Sequence, residues 1–169
     1  IVLFRAARKP AVNQSGQFRT LRAIIETRIM KSIVFLGDSL TEWFDWQARF
    51  PKDQVVNLGI AGEPATGLLY RLGALCANIP APDHVFVMTG INDIAMGDLN
   101  ILAPFRRIVE TLESRWSRSV IVIQSVLPVI LDWIDPVSIE TINKGLRQLA
   151  AERGVEYLDV YRHFVNASG

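Results

Sequence analysis

Ile33-Val34-Phe35-Leu36-Gly37-Asp38-Ser39-Leu40 decides the fold. A short continuous apolar run of this kind reads as a strand buried on both faces. The run ends in Gly-Asp-Ser and passes into a helix-compatible stretch, so the Ser39 hydroxyl falls at the carboxyl end of a sheet strand. Ligands bind at that edge in open α/β sheets. A serine there is a candidate nucleophile, provided that oxyanion donors and a base converge on it.

Working outward, strand and helix patterns alternate. Ile33 to Leu36, Val55 to Leu58, Val85 to Met88, Val120 to Val126 and Val155 to Leu158 read as five strands. Leu68, Leu69, Leu72 and Leu75 make one helical face between them. Ile101, Phe105, Ile108, Leu112 and Trp116 make a second, and Ile139, Ile142, Leu146 and Leu149 a third. Asp135-Pro136 supplies a capping carboxylate and a first-turn proline to that last helix, and Gly154 a C-terminal stop. The alternation predicts an α/β fold, a parallel sheet with right-handed crossovers, in a single domain.

Composition narrows the function classes. The chain of 169 residues carries 18 Lys/Arg and 17 Asp/Glu, a net charge of +1. Residues 1–32 hold seven of the basic residues and one acid, Glu26, leaving 11 basic and 16 acidic residues beyond them. The segment 1–30 reads as a basic N-terminal extension, with Phe18, Leu21, Ile25 and Ile29 spaced for one helical face. It has no interleaved aromatics and no recognition motif, so no nucleic-acid partner is expected. Met30-Lys31-Ser32, directly before the first strand, reads as a start. No apolar run reaches the length of a membrane span and no signal-peptide layout is visible, so the expected location is cytoplasmic. The single cysteine, Cys76, falls at helical spacing with Leu68, Leu72 and Leu75 and is expected to be a buried structural thiol. Two histidines and one cysteine make a metal site unexpected, and no cofactor is implied.

The chemistry lies in three segments, each just past its own strand: Gly37-Asp38-Ser39, Asn57-Leu58-Gly59-Ile60-Ala61-Gly62 and Gly90-Ile91-Asn92-Asp93. Parallel strands carry all three to one sheet edge. Taken singly, each is ordinary turn chemistry, and a serine after a strand more often caps a helix than attacks anything. Taken together, they supply Ser39 as nucleophile and the Ser39 and Gly62 backbone N–H groups with the Asn92 side-chain amide as oxyanion donors. Glycine at 62 allows the backbone a close approach. One such donor is worth roughly 3–4 kcal/mol of transition-state stabilisation.

These three blocks, in this order, resemble the GDSL-type (SGNH) hydrolase family over residues 31–169, in its platelet-activating-factor acetylhydrolase-like and carbohydrate-acetylesterase-like branch. Gly67-Leu68-Leu69 and Gln124-Ser125-Val126-Leu127-Pro128 add to the likeness. The resemblance implies a flavodoxin-like three-layer α/β/α sandwich with strand order 2-1-3-4-5. It also implies ester hydrolysis through an acyl-enzyme on Ser39, with Gly62 and Asn92 in the oxyanion hole and no cofactor. The family's remaining block, Asp-x-x-His after the fifth strand, is not found in the chain. Residues 31–169 therefore read as a hydrolase domain that stops before its last motif, with the base expected beyond Gly169. The final helix that follows the block would then be missing too, leaving part of the sheet uncovered.

Two histidines are the substitutes to weigh. His84 opens the third strand, roughly 20 Å or more from the site edge at about 3.3 Å per residue. His163 follows the fifth strand at the correct edge, in Asp159-Val160-Tyr161-Arg162-His163, but roughly 14 Å from the first strand at about 4.8 Å per strand in that order. It is read as a surface histidine, with Asp159 ending the strand.

Trp43, Phe44 and Trp46, in the first helix, and Leu131 and Trp133, after the fourth strand, are candidates to line a substrate pocket, with Asp38 and Trp133 named as binding residues. Packing against the core is the competing role. The expected partner is a small-molecule ester, an acylated sugar, lipid or small alcohol. Two readings compete with ester hydrolysis: a non-catalytic ligand- or glycan-binding domain of the same fold, and a phosphate cradle at Gly37–Leu40, which leaves Gly62 and Asn92 without a role.

Overall fold

The computed structural model describes residues 30–165. The helical face anticipated over residues 18–29, and the residues after Val165, lie outside them. Five parallel strands form one sheet: β1 (Ser32–Gly37), β2 (Gln54–Gly59), β3 (His84–Met88), β4 (Val120–Gln124) and β5 (Glu156–Leu158). Their spatial order is β2-β1-β3-β4-β5, as the resemblance implied. The helices are α1 (Ser39–Glu42), α2 (Trp46–Arg49), α3 (Ala65–Asn78), α4 (Ile91–Ala95), α5 (Leu102–Arg115) and α6 (Pro136–Arg153), with a 3₁₀ turn at Tyr161–His163.

Crossover handedness distributes the layers. From β2 onward, each connection moves in the same direction across the sheet, so right-handed crossovers put α3, α5 and α6 on one face. Their buried residues, among them Leu68, Phe105, Ile108 and Leu146, join Val34, Leu36, Val85, Val87, Ile121 and Ile123 in one core. The β1–β2 connection runs the opposite way, which puts α1 and α2 on the other face. There Phe35 stacks on Trp46 with ring centroids 3.8 Å apart, and Phe86 and Phe50 lie at 5.0 and 6.0 Å. Trp46 therefore belongs to this packing rather than to a substrate pocket. The single helix anticipated after Ser39 is in fact two one-turn helices, because Asp45 starts α2 afresh by accepting from Ala48 N at 2.9 Å.

The helix signals of α6 are as anticipated: Asp135 accepts from Val137 N at 2.9 Å, Pro136 opens the helix, and Gly154 closes it at φ 67°. The fourth strand is shorter than its apolar run. It ends at Gln124, because the Asn143 side chain of α6 takes over both polar groups of the Val126 backbone. Val126 N donates to Asn143 Oδ1 at 2.8 Å, and Asn143 Nδ2 donates to Val126 O at 2.9 Å. Cys76 is half-buried rather than fully buried, against the core, and burial pushes its thiol pKa up, away from reactivity. No helix among the described residues is long and apolar enough to cross a membrane.

Asn143 is itself buried at 7% exposure, so Asn143→Ala would strand both Val126 groups away from water. The expected loss is about 2–4 kcal/mol of unfolding free energy in urea titration. A loss well under 1 kcal/mol would mean that water replaces the amide.

Candidate functional site

β1 lies between β2 and β3, so the three segments after these strands are immediate neighbours at one edge. Ser39 is the first residue of α1, half-buried. Gly62 lies between β2 and α3, and Asn92 in the first turn of α4. The Gly62 φ is +77°, and an added Cβ there would meet nothing within 4 Å. Conformation rather than crowding therefore explains glycine at this position. At Gly59 the reason is crowding: a Cβ would collide with the Glu42 backbone and lie 2.8 Å from Asp38 O.

The loops are tied together by hydrogen bonds that each crosses to a neighbour. Ile60 N donates to Gly37 O at 2.9 Å and Ala61 N to Glu42 Oε2 at 2.8 Å, joining the second loop to the first. Asn57 Nδ2 donates to Thr41 O at 2.9 Å and Glu42 O at 3.0 Å, and so holds α1 against β2. The third loop grips the second at two points: Asn92 Nδ2 donates to Glu63 O at 3.1 Å, and the Asp93 carboxylate accepts from Ala65 N at 3.0 and 3.2 Å. Pro64 precedes α3 without a side-chain cap of its own, so Asp93 caps that helix from another loop.

Glu63 is itself held. Arg71 Nε donates to Glu63 Oε1 at 2.7 Å, Arg71 Nη2 to Glu63 Oε2 at 2.7 Å, and the same Nη2 to Leu58 O at 2.7 Å. Glu63, Arg71 and Glu42 fall outside every motif legible in the sequence. Glu63 and Arg71 lie eight residues apart across a helix start, outside the i,i+4 spacing that flags a pair.

Asp38, named as a binding candidate, is 1% exposed and caps α1 by accepting from Leu40 N at 3.0 Å. Burial pushes its pKa from the ordinary 3.8 up to about 6, with the Asp93 and Glu63 charges adding to the rise. Burial also raises Asp93. Trp133 is 70% exposed in the loop after β4, and Trp43 is 75% exposed at the end of α1.

The histidines stand where the topology puts them. His84 opens β3 at the opposite edge, with its Nδ1 buried and without a hydrogen-bond partner among the described residues. His163 is exposed in the 3₁₀ turn past β5, three strands from β1 or about 14 Å away, and its Nε2 accepts from Arg162 Nε at 3.3 Å. Asp159 is taken by Arg147 and by the Arg162 N–H at 3.3 Å. The described residues contain no cluster of three or more His, Cys, Asp or Glu arranged to hold a metal ion.

Comparison with known proteins gives a family match over residues 35–169, described as the GDSL-like Lipase/Acylhydrolase family. Among solved structures, one from Streptococcus pneumonia, described provisionally as a platelet activating factor, superposes with a TM-score of 0.74 at 24% identity, covering 89% of this chain and 76% of that one. A catalytic mutant of an acetylxylan esterase from Geobacillus stearothermophilus matches with a TM-score of 0.66 at 21% identity, over 79% and 78% of the two chains. A member of the lipolytic protein G-D-S-L family from Veillonella parvula gives 0.64 at 22% identity, over 78% of each chain. No curated protein matches. At these identities the structural likeness shows the fold.

The buried Asp38 carboxyl makes a signed prediction. Its folded pKa of about 6 lies above the ordinary 3.8, so the unfolded chain releases this proton first and the group's contribution to stability falls between about pH 4 and pH 6. The full loss is about 3 kcal/mol. Asp38→Asn keeps an acceptor for Leu40 N and removes the titration. The stability of this variant relative to the parent should rise by up to about 3 kcal/mol from pH 4 to pH 7 in urea titrations. A difference that does not move with pH would mean that the carboxyl is solvated.

Proposed function

The chain belongs to the GDSL-like lipase/acylhydrolase family, and from that membership we propose that it is a serine ester hydrolase cleaving a short acyl ester of a sugar or small alcohol. One observation carries the reading: Ser39 stands just past the middle strand of three, with Gly62 and Asn92 past the strands to either side and the Asn92 amide tied to the Gly62 loop at Glu63 O, 3.1 Å away. Ser39 Oγ attacks the acyl carbonyl carbon, and the carbonyl π electrons move to oxygen. The N–H groups of Ser39 and Gly62 and the second Asn92 Nδ2 hydrogen hold the oxyanion. Collapse expels the alcohol, which leaves with a proton, and water then hydrolyses the acyl-serine. The proton acceptor for Ser39 is neither described histidine. We place it outside the described residues, on a segment brought to the β1 edge. The esterase and lipolytic descriptions of the structural neighbours support an ester as substrate, and the exposed Trp43, one turn on from Ser39, supports a sugar or small alcohol beside it.

The competing role, a binding domain of the same fold, draws on the distance of His163 from β1. A fluorophosphonate probe separates the two. Ser39 should be labelled, and Ser39→Ala should abolish both labelling and turnover of a p-nitrophenyl acyl ester. Asn92→Ala should cut kcat by about 10²–10³-fold. Unlabelled Ser39 in the full-length protein would favour the binding domain, and unchanged turnover in Ser39→Ala would sink the mechanism.

A further inference from the structure

The ion pair between Glu63 and Arg71 is the least exposed pair among the described residues, with side chains 10% and 18% exposed. Its position gives it a role beyond anchoring a helix. Arg71 binds both ends of the second loop at once, Leu58 O where β2 closes and the Glu63 carboxylate where α3 opens. Gly62 lies between those ends and immediately precedes Glu63. The Glu63 carbonyl, on the same residue, receives the Asn92 side-chain amide. We propose that Arg71 is a positioning residue for the oxyanion hole: through Glu63 it fixes the Gly62 N–H and the Asn92 Nδ2 hydrogens in one mutual geometry. The inference rests on the ester-hydrolase reading of Ser39.

Chemistry and packing both point to this use. A planar guanidinium holds a carboxylate in two parallel hydrogen bonds and still has a donor for a third acceptor, which a lysine ammonium cannot match in geometry. Room for the pair is built in, since a Cβ on Gly67 would lie 2.8 Å from Glu63 Cγ. Glu63 N also donates to Ile60 O at 3.2 Å, which closes the loop on itself inside the span that Arg71 holds. A donor displaced by a fraction of an ångström still binds ester but holds the oxyanion poorly, so the signature is in kcat rather than KM.

The test uses the full-length protein with Arg71→Met, Arg71→Lys, Asn92→Ala and the double variant Arg71→Met/Asn92→Ala, each checked for folding by circular dichroism. On a p-nitrophenyl acyl ester, Arg71→Met should lose about 10²-fold in kcat with KM little changed. Arg71→Lys should recover only part of it. The double variant should lose clearly less than the product of the two single losses, because part of what Arg71 does is done through that amide. Intact kcat in a folded Arg71→Met, or losses that multiply in the double variant, would overturn the proposal. A second readout needs no turnover. In heteronuclear NMR spectra of the labelled protein, Arg71→Met should shift or broaden both the Asn92 side-chain amide and the Gly62 amide, and unmoved signals would overturn the proposal. Should Ser39 resist the fluorophosphonate probe, the ester-hydrolase reading fails while the spectra still decide whether Arg71 sets the two donors.

Discussion

The parallel pairing of β1 with β2 on one side and β3 on the other is the constraint from which the site follows. A strand with a neighbour on both sides leaves its backbone no freedom of register, and its last residue, Gly37, is aligned with Gly59 and Met88. Whatever follows each strand is delivered to the same height. Ser39, Gly62 and Asn92 are brought together by strand order and by the right-handed crossovers that sort the helices, long before any side chain at the edge makes a contact. The same rule keeps α3, α5 and α6 off the face where Phe35, Trp46 and Phe86 stack.

Beneath that edge the chain buries more acid than the proposed oxyanion hole favours. Asp38 and Asp93 are 1% and 2% exposed, and Glu63 lies beside them. Each is disarmed differently. Arg71 neutralises Glu63 directly. Asp93 faces the opening turn of α3, where unpaired N–H groups carry partial positive charge. Asp38 accepts from Leu40 N, and burial shifts its titration toward neutrality. In the proposed reaction, a negative charge growing on a bound carbonyl would therefore meet N–H dipoles with much of the carboxylate field cancelled.

Most of the fold was legible because buried parallel strands and amphipathic helices write long, periodic signals. The apolar runs found all five strands, and Asp135-Pro136 and Gly154 found the ends of α6. Where the reading went astray, a side chain distant in sequence had replaced a local rule. The run through Val126 is apolar enough to extend β4, yet Asn143 takes its backbone. Trp46 has two roles open to it in the sequence, pocket or packing, and only Phe35 stacked on it decides for packing. At the site, Ser39, Gly62 and Asn92 were visible as residues past their own strands. The supports were invisible, because Glu42, Glu63 and Arg71 act on backbone groups of other loops, and a one-dimensional pattern does not record which carbonyl a guanidinium will reach.

The single turn of α1 has a consequence for how the protein loses order. A four-residue helix cannot persist alone, since helix nucleation is costly. It stands because Asn57 and Trp46 donate to Thr41 O, at 2.9 and 2.8 Å, and because Asp38 caps it. The second loop leans in turn on Glu42, and the third leans on the second. Each of the three is tied to a neighbour by hydrogen bonds, so they form one cooperative unit whose opening free energy is separate from that of the core under α3, α5 and α6. On gentle heating or in dilute denaturant, Ser39, Gly62 and Asn92 lose their arrangement in one step while the sheet beneath them is still folded.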